Sequence, residues 1–272
     1  MSIQLTSEEI EQLTNQILSS SKYLSMGIPK ETTLDLIRQE MPGSKDIKQL
    51  RKRTRAKLHN ICAPYLGDLD YEAASEQLQK VIHAKDRKNI QALCIQFLKQ
   101  HISTRERLPF IEDFYKKLFQ LSGQPGSILD LACGLNPFSI PWMGLTEDTQ
   151  YYAYDIHHPR IELVNQFLKG IGLKPLGMVQ DILVHPPLTP ADVAFLFKEA
   201  HRIEQRKRGA TRWLLEQLQV KWIFISLPRI SMNGQRDLSQ RMRTLIHSIL
   251  NHLPWEIGEL EFENEIVFCI QR

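Results

Sequence analysis

Three acidic residues in the middle of the chain are spaced so that they could bind one nucleoside. Asp130 belongs to a short apolar segment that ends at Gly134. Asp155 and Asp181 each belong to the end of a further apolar segment. Ligands of an open parallel sheet bind beyond the carboxyl ends of the strands, where these acids would meet. A carboxylate after the second strand suits a ribose diol, and one after the third can accept a hydrogen bond from an adenine amino group.

The glycine content of the first turn indicates which nucleoside cofactor would fit. Gly134 lets the backbone approach a ligand closely because it has no Cβ. A dinucleotide carries a pyrophosphate and calls for a G-x-G-x-x-G turn, whereas this turn has one glycine. S-adenosylmethionine has no phosphate and needs no such turn, so the sequence favours S-adenosylmethionine. The alternative interpretation is that Asp130 and Asp155 only cap turns in an unrelated α/β fold.

Short apolar segments that alternate with helical patterns predict a mainly parallel sheet behind these acids. The last two segments are separated only by Glu263-Asn264, which is a hairpin signal and predicts a final antiparallel pair. The predicted strands cover residues 127–132, 151–156, 178–182, 193–197, 222–226, 256–262 and 265–270.

The chain before this sheet has helical periodicity and predicts a separate domain. We expect an N-terminal helical, RNA-binding domain at residues 1–122, whose last helix bridges to the cofactor site, and a cofactor-binding domain at residues 123–272. The last helix should cover 104–121 and begin at Ser103-Thr104, with Glu106 placed for a capping box. The other main predicted helices cover residues 31–40, 44–61, 69–84 and 87–100.

The charges of the chain are unevenly distributed, although its net charge is only +3. Residues 45–57 contain seven lysines and arginines and a single acid, Asp46, and residues 198–212 form a second basic segment. Basic side chains on one helix predict contacts with RNA phosphates, although such a run can also be only a solvated face. The candidate RNA-binding residues are Lys48, Arg51, Lys52, Arg53, Arg55 and His59.

Several classes of protein are disfavoured by features that the sequence lacks. The four cysteines are far apart and form no CxxC pair, which argues against a zinc site or a disulfide framework, and the histidines show no metal spacing. The first residues do not have the pattern of a signal peptide, and no apolar run approaches the length of a membrane span. We therefore expect a cytoplasmic protein without a metal and without a membrane partner.

A series of local motifs resembles the aminoglycoside-resistance 16S rRNA (guanine-1405-N7) methyltransferases. The turn Asp130–Pro137, with the letters D-L-A-C-G-L-N-P, agrees with that family's D-x-A-C-G-L-N-P, and His101–Leu108 agrees with its H-x-S-T-[RK]-E-R-L. The resemblance spans roughly residues 15–272. Further similar segments are Ser21–Tyr23, Leu58–Tyr65, Asp155–His157, Gln180-Asp181, Leu196–Lys198 and Ser226–Arg229.

The resemblance implies a fold, a cofactor site and a partner. The fold is α/β: the Rossmann-like fold of S-adenosylmethionine-dependent methyltransferases, with a mostly parallel seven-stranded-type sheet, a C-terminal antiparallel hairpin and an N-terminal helical domain. Arg107 would hold the methionine carboxylate by a bidentate pair, Asp155 the ribose, and Asp181 with Ile182 the adenine. The partner would be 16S rRNA within the 30S subunit, bound by a monomer. Other implied cofactor-binding residues are Ala132, Gly134, Ile156, Leu196 and Phe197.

The reaction implied by the resemblance needs few catalytic groups. Guanine N7 carries an exposed lone pair and needs no deprotonation, so catalysis would come from alignment of the base with the methyl group. Lys198 would bind the phosphate or O6 of the target nucleotide, and Lys198 and Arg229 are the candidate catalytic residues. The arginines around the loop after the fifth strand would form a second RNA contact surface: Arg229, Arg236, Arg241 and Arg243. The polar, basic segment 199–208 departs from the family pattern. The alternatives are a methyltransferase that acts on tRNA or another rRNA nucleotide, on a protein or on a small molecule, and a non-catalytic RNA-binding protein.

Overall fold

The computed structural model describes residues 3–63, 69–84, 86–231 and 236–272. Seven strands form one sheet in the order β3-β2-β1-β4-β5-β7-β6. The five strands from β3 to β5 in that order are parallel, and β7 pairs antiparallel with both β5 and β6. The strands are β1 Ser127–Leu131, β2 Gln150–Asp155, β3 Leu176–Val179, β4 Ala191–Phe197, β5 Val220–Pro228, β6 Glu256–Glu261 and β7 Glu265–Gln271.

Helices cover both faces of the sheet and build a helical region at the N-terminal end of the chain. The described α-helices are α1 Ser7–Leu18, α2 Ser21–Met26, α3 Lys30–Glu40, α4 Ile47–Cys62, α5 Tyr71–His83, α6 Arg87–Gln100, α7 Ile102–Arg105, α8 Ile111–Ser122, α9 His158–Gly170, α10 Ala200–Arg206, α11 Ala210–Gln217 and α12 Ser239–Leu250.

The apolar side chains form three buried clusters. One cluster joins α5, α6, α8 and α9 to one face of the sheet, and a second joins α10, α11 and α12 to the other face. The third cluster holds α1 to α4 together and includes Ile156, the residue after β2. The four N-terminal helices therefore have their own core and touch the carboxyl edge of the sheet through it. The division at residue 122 that the sequence suggests remains a prediction.

The basic helix α4 forms for local reasons that the sequence contains. The Asp46 carboxylate caps it by accepting a hydrogen bond from the Gln49 amide at 2.7 Å. Leu50, Thr54 and Leu58 recur at four-residue spacing and are buried. Lysine and arginine occupy six of the other thirteen positions of the helix, so burial of this one stripe leaves the cationic side chains on the outer faces.

The sheet and its C-terminal hairpin agree with the sequence prediction, with one shift. The third strand is Leu176–Val179 rather than 178–182, so Asp181 lies in the loop beyond the strand. Gly177 can be part of this strand because the Asn165 side chain completes the hydrogen bonding of the Gly177 backbone. Asn165 Oδ1 accepts from the Gly177 N–H at 2.7 Å, and Asn165 Nδ2 donates to the Gly177 carbonyl at 3.0 Å. The hairpin turn is closed by the Phe262 N–H, which donates to the Glu265 carbonyl at 2.8 Å.

The prediction of one helix over 104–121 is wrong. The chain forms the short helix α7, a 3-10 turn at Leu108–Phe110 and then α8. Pro109 lacks an N–H group and cannot continue an α-helix at that point. The predicted capping box is also absent: Ser103 Oγ contacts His101 Nδ1 at 2.6 Å, and the Thr104 hydroxyl donates to the carbonyls of Leu98 and His101. Glu106 is thereby released for a different contact, with Lys198.

Candidate functional site

The turn after β1 is shaped by two residues with left-handed backbone conformations. Ala132 has φ +52 and Gly134 has φ +54, and the Cys133 N–H between them donates to the Tyr154 carbonyl of β2 at 2.8 Å. A Cβ on Gly134 would meet no protein atom within 4 Å, so the glycine is required by the backbone conformation and faces open space. The turn therefore leaves its backbone accessible at the carboxyl edge of the sheet.

Asp155 is fixed at the end of β2 by three hydrogen bonds. Its carboxylate accepts from the Gly134 N–H at 3.0 Å, from the His157 N–H at 2.9 Å and from Arg160 Nη1 at 3.0 Å. The Arg160 guanidinium is fully buried and also donates to the Tyr71 hydroxyl at 3.1 Å. A buried carboxylate held by an arginine and two amides stays in one orientation, which suits a group that accepts hydrogen bonds from ribose hydroxyls.

A cavity of about 370 Å³ opens beside these residues. Five of the predicted cofactor-binding residues line it: Ala132, Asp155, Ile156, Asp181 and Ile182. The opposite wall comes from the C-terminal part of α4 and from α10. The volume lies within the roughly 300–1,000 Å³ usual for small-molecule sites. The structure thus brings the carboxylates of the second and third strand ends together in one pocket, next to the basic helix.

Asp181 combines a fixed position with a spare acceptor. Its Oδ1 accepts from the Leu183 N–H and from Arg206 Nη1, both at 3.0 Å. Its Oδ2 lies 2.7 Å from Arg206 Nη2 but is buried without an aligned hydrogen bond from any described residue. A buried acceptor in that state costs free energy unless a donor reaches it. An adenine amino group is such a donor.

Four other predicted cofactor residues, Arg107, Gly134, Leu196 and Phe197, are not among the residues that line the cavity. Leu196 is completely buried in the core on one face of the sheet. Phe197 packs on the other face, where its ring stacks on Phe195 with centroids 4.7 Å apart. Whether Leu196 or Phe197 flanks the adenine or the target base remains a prediction.

Arg107 belongs to a buried polar network under the turn after β1. Its Nε and Nη2 donate to the two carboxylate oxygens of Glu265 at 3.2 Å and 2.5 Å, and its Nη1 donates to Asn136 Oδ1 at 2.8 Å. Asn136 in turn donates to Asp130 at 3.0 Å, and the Tyr151 hydroxyl donates to the same Asp130 oxygen at 2.6 Å. The Tyr115 side chain also contacts the guanidinium, and Arg107 is only 1% exposed.

Lys198, one of the two predicted catalytic residues, lies at the end of β4 with a left-handed φ of +55. Its Nζ lies 2.6 Å from Glu106 and 3.7 Å from Glu265. The other, Arg229, follows β5, and its Nη1 donates to the Phe262 carbonyl at 3.1 Å. Both positions lie beyond the carboxyl ends of parallel strands, where a substrate of this fold would approach.

The predicted RNA-binding residues of α4 are all exposed, but they differ in their contacts. Arg53 is held by Glu40 at 2.5 Å and by the Gly43 carbonyl at 2.8 Å, and it therefore closes the turn before α4. Arg51 donates to Gln16, and His59 Nδ1 lies 2.7 Å from Lys22 Nζ. Lys48, Lys52 and Arg55, by contrast, project from positions i, i+4 and i+7 of one face.

The motif Leu58–Tyr65 ends in Pro64-Tyr65, which lies outside the described residues. Of the arginines after β5, Arg243 pairs with Glu259 at 2.8 Å and also contacts Glu261. The four cysteines are buried free thiols. Within the described ranges, no group of histidine, cysteine and acidic residues could hold a metal, and no helix is long and apolar enough to cross a membrane.

Two arginines of this site were not predicted from the sequence. Arg160 is the third residue of α9, and nothing in the sequence of that helix distinguishes it from a surface arginine. Arg206 appeared only as one cation of the basic segment, although it reaches both Asp181 and Asp35. The only signal in the sequence was their position. Arg160 is five residues after Asp155, and Arg206 belongs to the segment that follows the fourth predicted strand, whose carboxyl end lies at the same edge of the sheet as Asp181.

The buried Asp130 should make the stability of the folded protein depend on pH. Burial raises the pKa of Asp130 to about 7, although hydrogen bonds from Tyr151 and Asn136 oppose this effect. Between the pKa of an unfolded aspartate, about 3.9, and this value, the folded state binds a proton that the unfolded chain releases, so stability falls as the pH rises. The free energy of unfolding should therefore fall by on the order of 2 kcal/mol between pH 5 and pH 7, as measured by urea unfolding. Asp130→Asn should remove this fall. Asp113→Asn, on the exposed face of α8, should leave the slope unchanged.

The residues of the cavity fit S-adenosylmethionine. Asp155 presents an oriented carboxylate, Asp181 presents a buried acceptor without an aligned donor, and Ile156, Ile182 and Ile203 supply apolar contact for a flat base. This combination of a few placed polar groups with apolar walls is typical of a nucleoside site. The cavity offers no cluster of backbone N–H groups around a glycine-rich turn, as a pyrophosphate would require.

Comparison with known proteins agrees with this geometry. A family model described as ribosomal RNA methyltransferase (FmrO) matches residues 19–269. The 16S rRNA (guanine(1405)-N(7))-methyltransferase of Micromonospora echinospora is 31% identical over 97% of both chains, and that of Proteus mirabilis is 28% identical with the same coverage. The solved 16S rRNA methylase RmtB is 25% identical and superimposes with a TM-score of 0.78 over 97% of this chain and 98% of its own. The chain therefore belongs to the ribosomal RNA methyltransferase family whose motifs its sequence resembles.

Proposed function

We propose that this protein transfers a methyl group from S-adenosylmethionine to N7 of guanine-1405 in the decoding region of 16S rRNA, and that it thereby confers aminoglycoside resistance. The observation that carries the proposal is the placement of the nucleoside cavity. One wall holds the carboxylates of Asp155 and Asp181, and the other includes the C-terminal part of the basic helix α4. The relatives from Micromonospora echinospora and Proteus mirabilis are 16S rRNA (guanine(1405)-N(7))-methyltransferases.

The cofactor would be held by residues at the ends of three parallel strands. Asp155 accepts from the ribose hydroxyls, Asp181 and Ile182 bind the adenine, and the turn containing Ala132 and Gly134 passes along the ribose and methionine moieties. Arg107 is the candidate for the methionine carboxylate. S-adenosylmethionine supplies a methyl group that is electrophilic because it is bonded to a sulfonium.

The protein has to position the base rather than activate it. Guanine N7 has its own lone pair, so no general base is required and alignment lowers the barrier by removing translational and rotational freedom. The target base must leave its stack to reach the pocket. Lys198 and Arg229 would hold its phosphate or O6, and Phe197 would contact the base. Glu106 positions Lys198 for that role through their contact at 2.6 Å.

The N-terminal helices would supply affinity for the ribosome. We propose that residues 1–122 form the RNA-binding domain and that α4 contacts phosphates of 16S rRNA within the 30S subunit. Phosphate contacts fix register and orientation, and the base is then selected by the pocket. The protein would act in the cytoplasm as a monomer that needs no metal.

The product identifies the function directly. After incubation with 30S subunits and S-adenosylmethionine, reduction and aniline treatment cut RNA at 7-methylguanine, and we expect one new cut, at guanine-1405. Expression should protect bacteria against aminoglycosides of the gentamicin and kanamycin type. Methyl incorporation into tRNA or protein without a cut in 16S rRNA would contradict the proposal. Cofactor and RNA binding without any methyl transfer would favour a non-catalytic RNA-binding protein.

The ribose assignment can be tested at Asp155. Asp155→Asn should weaken S-adenosylmethionine binding by about 1–3 kcal/mol, the scale of a lost charged hydrogen bond, while keeping the shape of the side chain. Calorimetry measures this change. Asp192→Asn is the matched control, because Asp192 accepts from the Gly126 and Ser127 amides at the opposite end of the sheet. Unchanged affinity in a folded Asp155→Asn protein would refute the assignment.

A further inference from the structure

Arg206 makes an unusual double contact at the last residue of α10. Its guanidinium is nine-tenths buried and lies between two carboxylates from distant parts of the chain. Nη1 donates to Asp181 Oδ1 at 3.0 Å, and Nη2 donates to Asp35 Oδ2 at 2.9 Å while lying 2.7 Å from Asp181 Oδ2. Asp181 belongs to the cofactor cavity, whereas Asp35 belongs to α3 in the N-terminal helical region. The Arg206 side chain therefore connects the cofactor cavity to the N-terminal helical region.

The same segment is tied to the basic helix. Arg202 Nη2 donates to the Asn60 carbonyl of α4 at 3.2 Å. Lys57 Nζ lies 3.5 Å from the Arg206 carbonyl oxygen and forms an ion pair with Glu40 at 2.6 Å. Because α3 and α4 share one apolar core, a shift of α4 carries Asp35 with it. Polar contacts and apolar packing thus connect the basic helix α4, through α3 and α10, to Asp181 in the pocket.

We propose that Arg206 is a positioning residue that couples RNA docking on α4 to cofactor binding at Asp181. This inference rests on the proposed function and adds a link between its two ligands. Arg206 fixes the orientation of the Asp181 carboxylate, which lines the adenine end of the pocket. Asp35 holds Arg206 in that place. When RNA fixes α3 and α4, Asp35 is fixed as well, and the adenine acceptor is organised before the cofactor arrives.

The physical basis is the geometry of a guanidinium. Arginine presents five N–H donors in a rigid fork and can therefore engage two carboxylates in fixed directions, whereas the three donors of a lysine ammonium rotate. Loss of the Asp35 contact leaves Arg206 with one anchor and leaves Asp181 with a partner that can rotate. Coupling between two binding sites is reciprocal, so RNA must strengthen cofactor binding by the same factor by which the cofactor strengthens RNA binding.

The test measures the coupling factor, which is the ratio of the cofactor affinities of the 30S-bound and the free protein, and uses the whole chain. S-adenosylhomocysteine, which cannot react, is titrated against the free protein by calorimetry and against its complex with excess 30S subunits by equilibrium dialysis. We expect the wild-type protein to bind it about fivefold or more tightly in the complex. Asp35→Asn keeps the side-chain shape but removes the charge that holds Arg206, and should bring this ratio close to one. Arg206→Gln should do the same.

Glu31→Gln is the matched control, since it removes one negative charge from the same helix without touching Arg206, and it should keep the wild-type ratio. The reciprocal measurement, 30S affinity with and without S-adenosylhomocysteine, should change by the same factor in each protein. An Asp35→Asn protein with the wild-type ratio would overturn the proposal, as would a wild-type ratio of one. Wild-type protein that binds neither S-adenosylhomocysteine nor 30S subunits would overturn the proposed function itself, and the coupling with it.

Discussion

Changing Lys48, Lys52 and Arg55 together to glutamate should weaken binding to 30S subunits by about 100-fold near physiological salt. The estimate takes about 1 kcal/mol for each lost phosphate contact. The dependence of log K on log salt should also become shallower by about two to three, because fewer counterions are released. These three side chains are exposed on one face of α4, and filter binding across a salt series measures both quantities.

The choice of residues in this variant follows from the structure. Arg53 is excluded because it holds Glu40 and Gly43 and its loss would disturb the fold. The matched control changes Lys116, Lys169 and Lys174 to glutamate, which alters net charge equally but at exposed positions outside α4. S-adenosylhomocysteine affinity of the free protein should be retained in both variants. Equal 30S binding by the two triple variants would mean that α4 presents only a solvated face.

The sequence could predict the sheet because its information is local. The apolar segments around Asp130 and Asp155 are short and are followed by helical patterns, so the order and direction of their strands follow from general connection rules. The hairpin at Glu263-Asn264 is likewise encoded by adjacent residues. Strand ends depend on contacts from other parts of the chain: β3 begins and ends earlier than predicted because Asn165, twelve residues before Gly177, completes the hydrogen bonding of the Gly177 backbone.

The site could be predicted only in part, because several of its contacts join residues that are remote in sequence. Asp155 and Asp181 were found because strand ends of a parallel sheet meet at one edge. The partners of Arg107 and Arg206 could not be found in this way: Glu265 lies at the start of the last strand and Asp35 in an N-terminal helix. Nothing in their local patterns distinguishes these acids from surface acids: only the three-dimensional fold buries Glu265 and brings Asp35, which stays 27% exposed, to Arg206.

The buried pair of Arg107 and Glu265 should give the largest change in stability. Both side chains are almost completely inaccessible, with exposed fractions of 2% and 0%. Burial alone would raise the pKa of Glu265, but the charges of Arg107 and Lys198 lower it overall, so the carboxylate stays ionised. Glu265→Ala leaves the arginine charge buried without its partner, and should cost about 3–5 kcal/mol in urea unfolding. The Arg107→Met/Glu265→Met double variant should recover much of that loss, because it buries no charge.

The same two positions separate a structural role of Arg107 from a role in cofactor binding. Glu265→Gln keeps an oxygen acceptor for Arg107 and leaves the guanidinium charge available, so S-adenosylmethionine affinity should be retained or increased in the folded fraction. Arg107→Met in the double variant removes the only predicted partner of the methionine carboxylate, and affinity should fall by about 1.5–3 kcal/mol, the value of a hydrogen bond to a charged group. Calorimetry on both proteins at a temperature where each is folded makes the comparison. Wild-type affinity in the double variant would show that Arg107 stabilises the fold and leaves the methionine carboxylate to other groups.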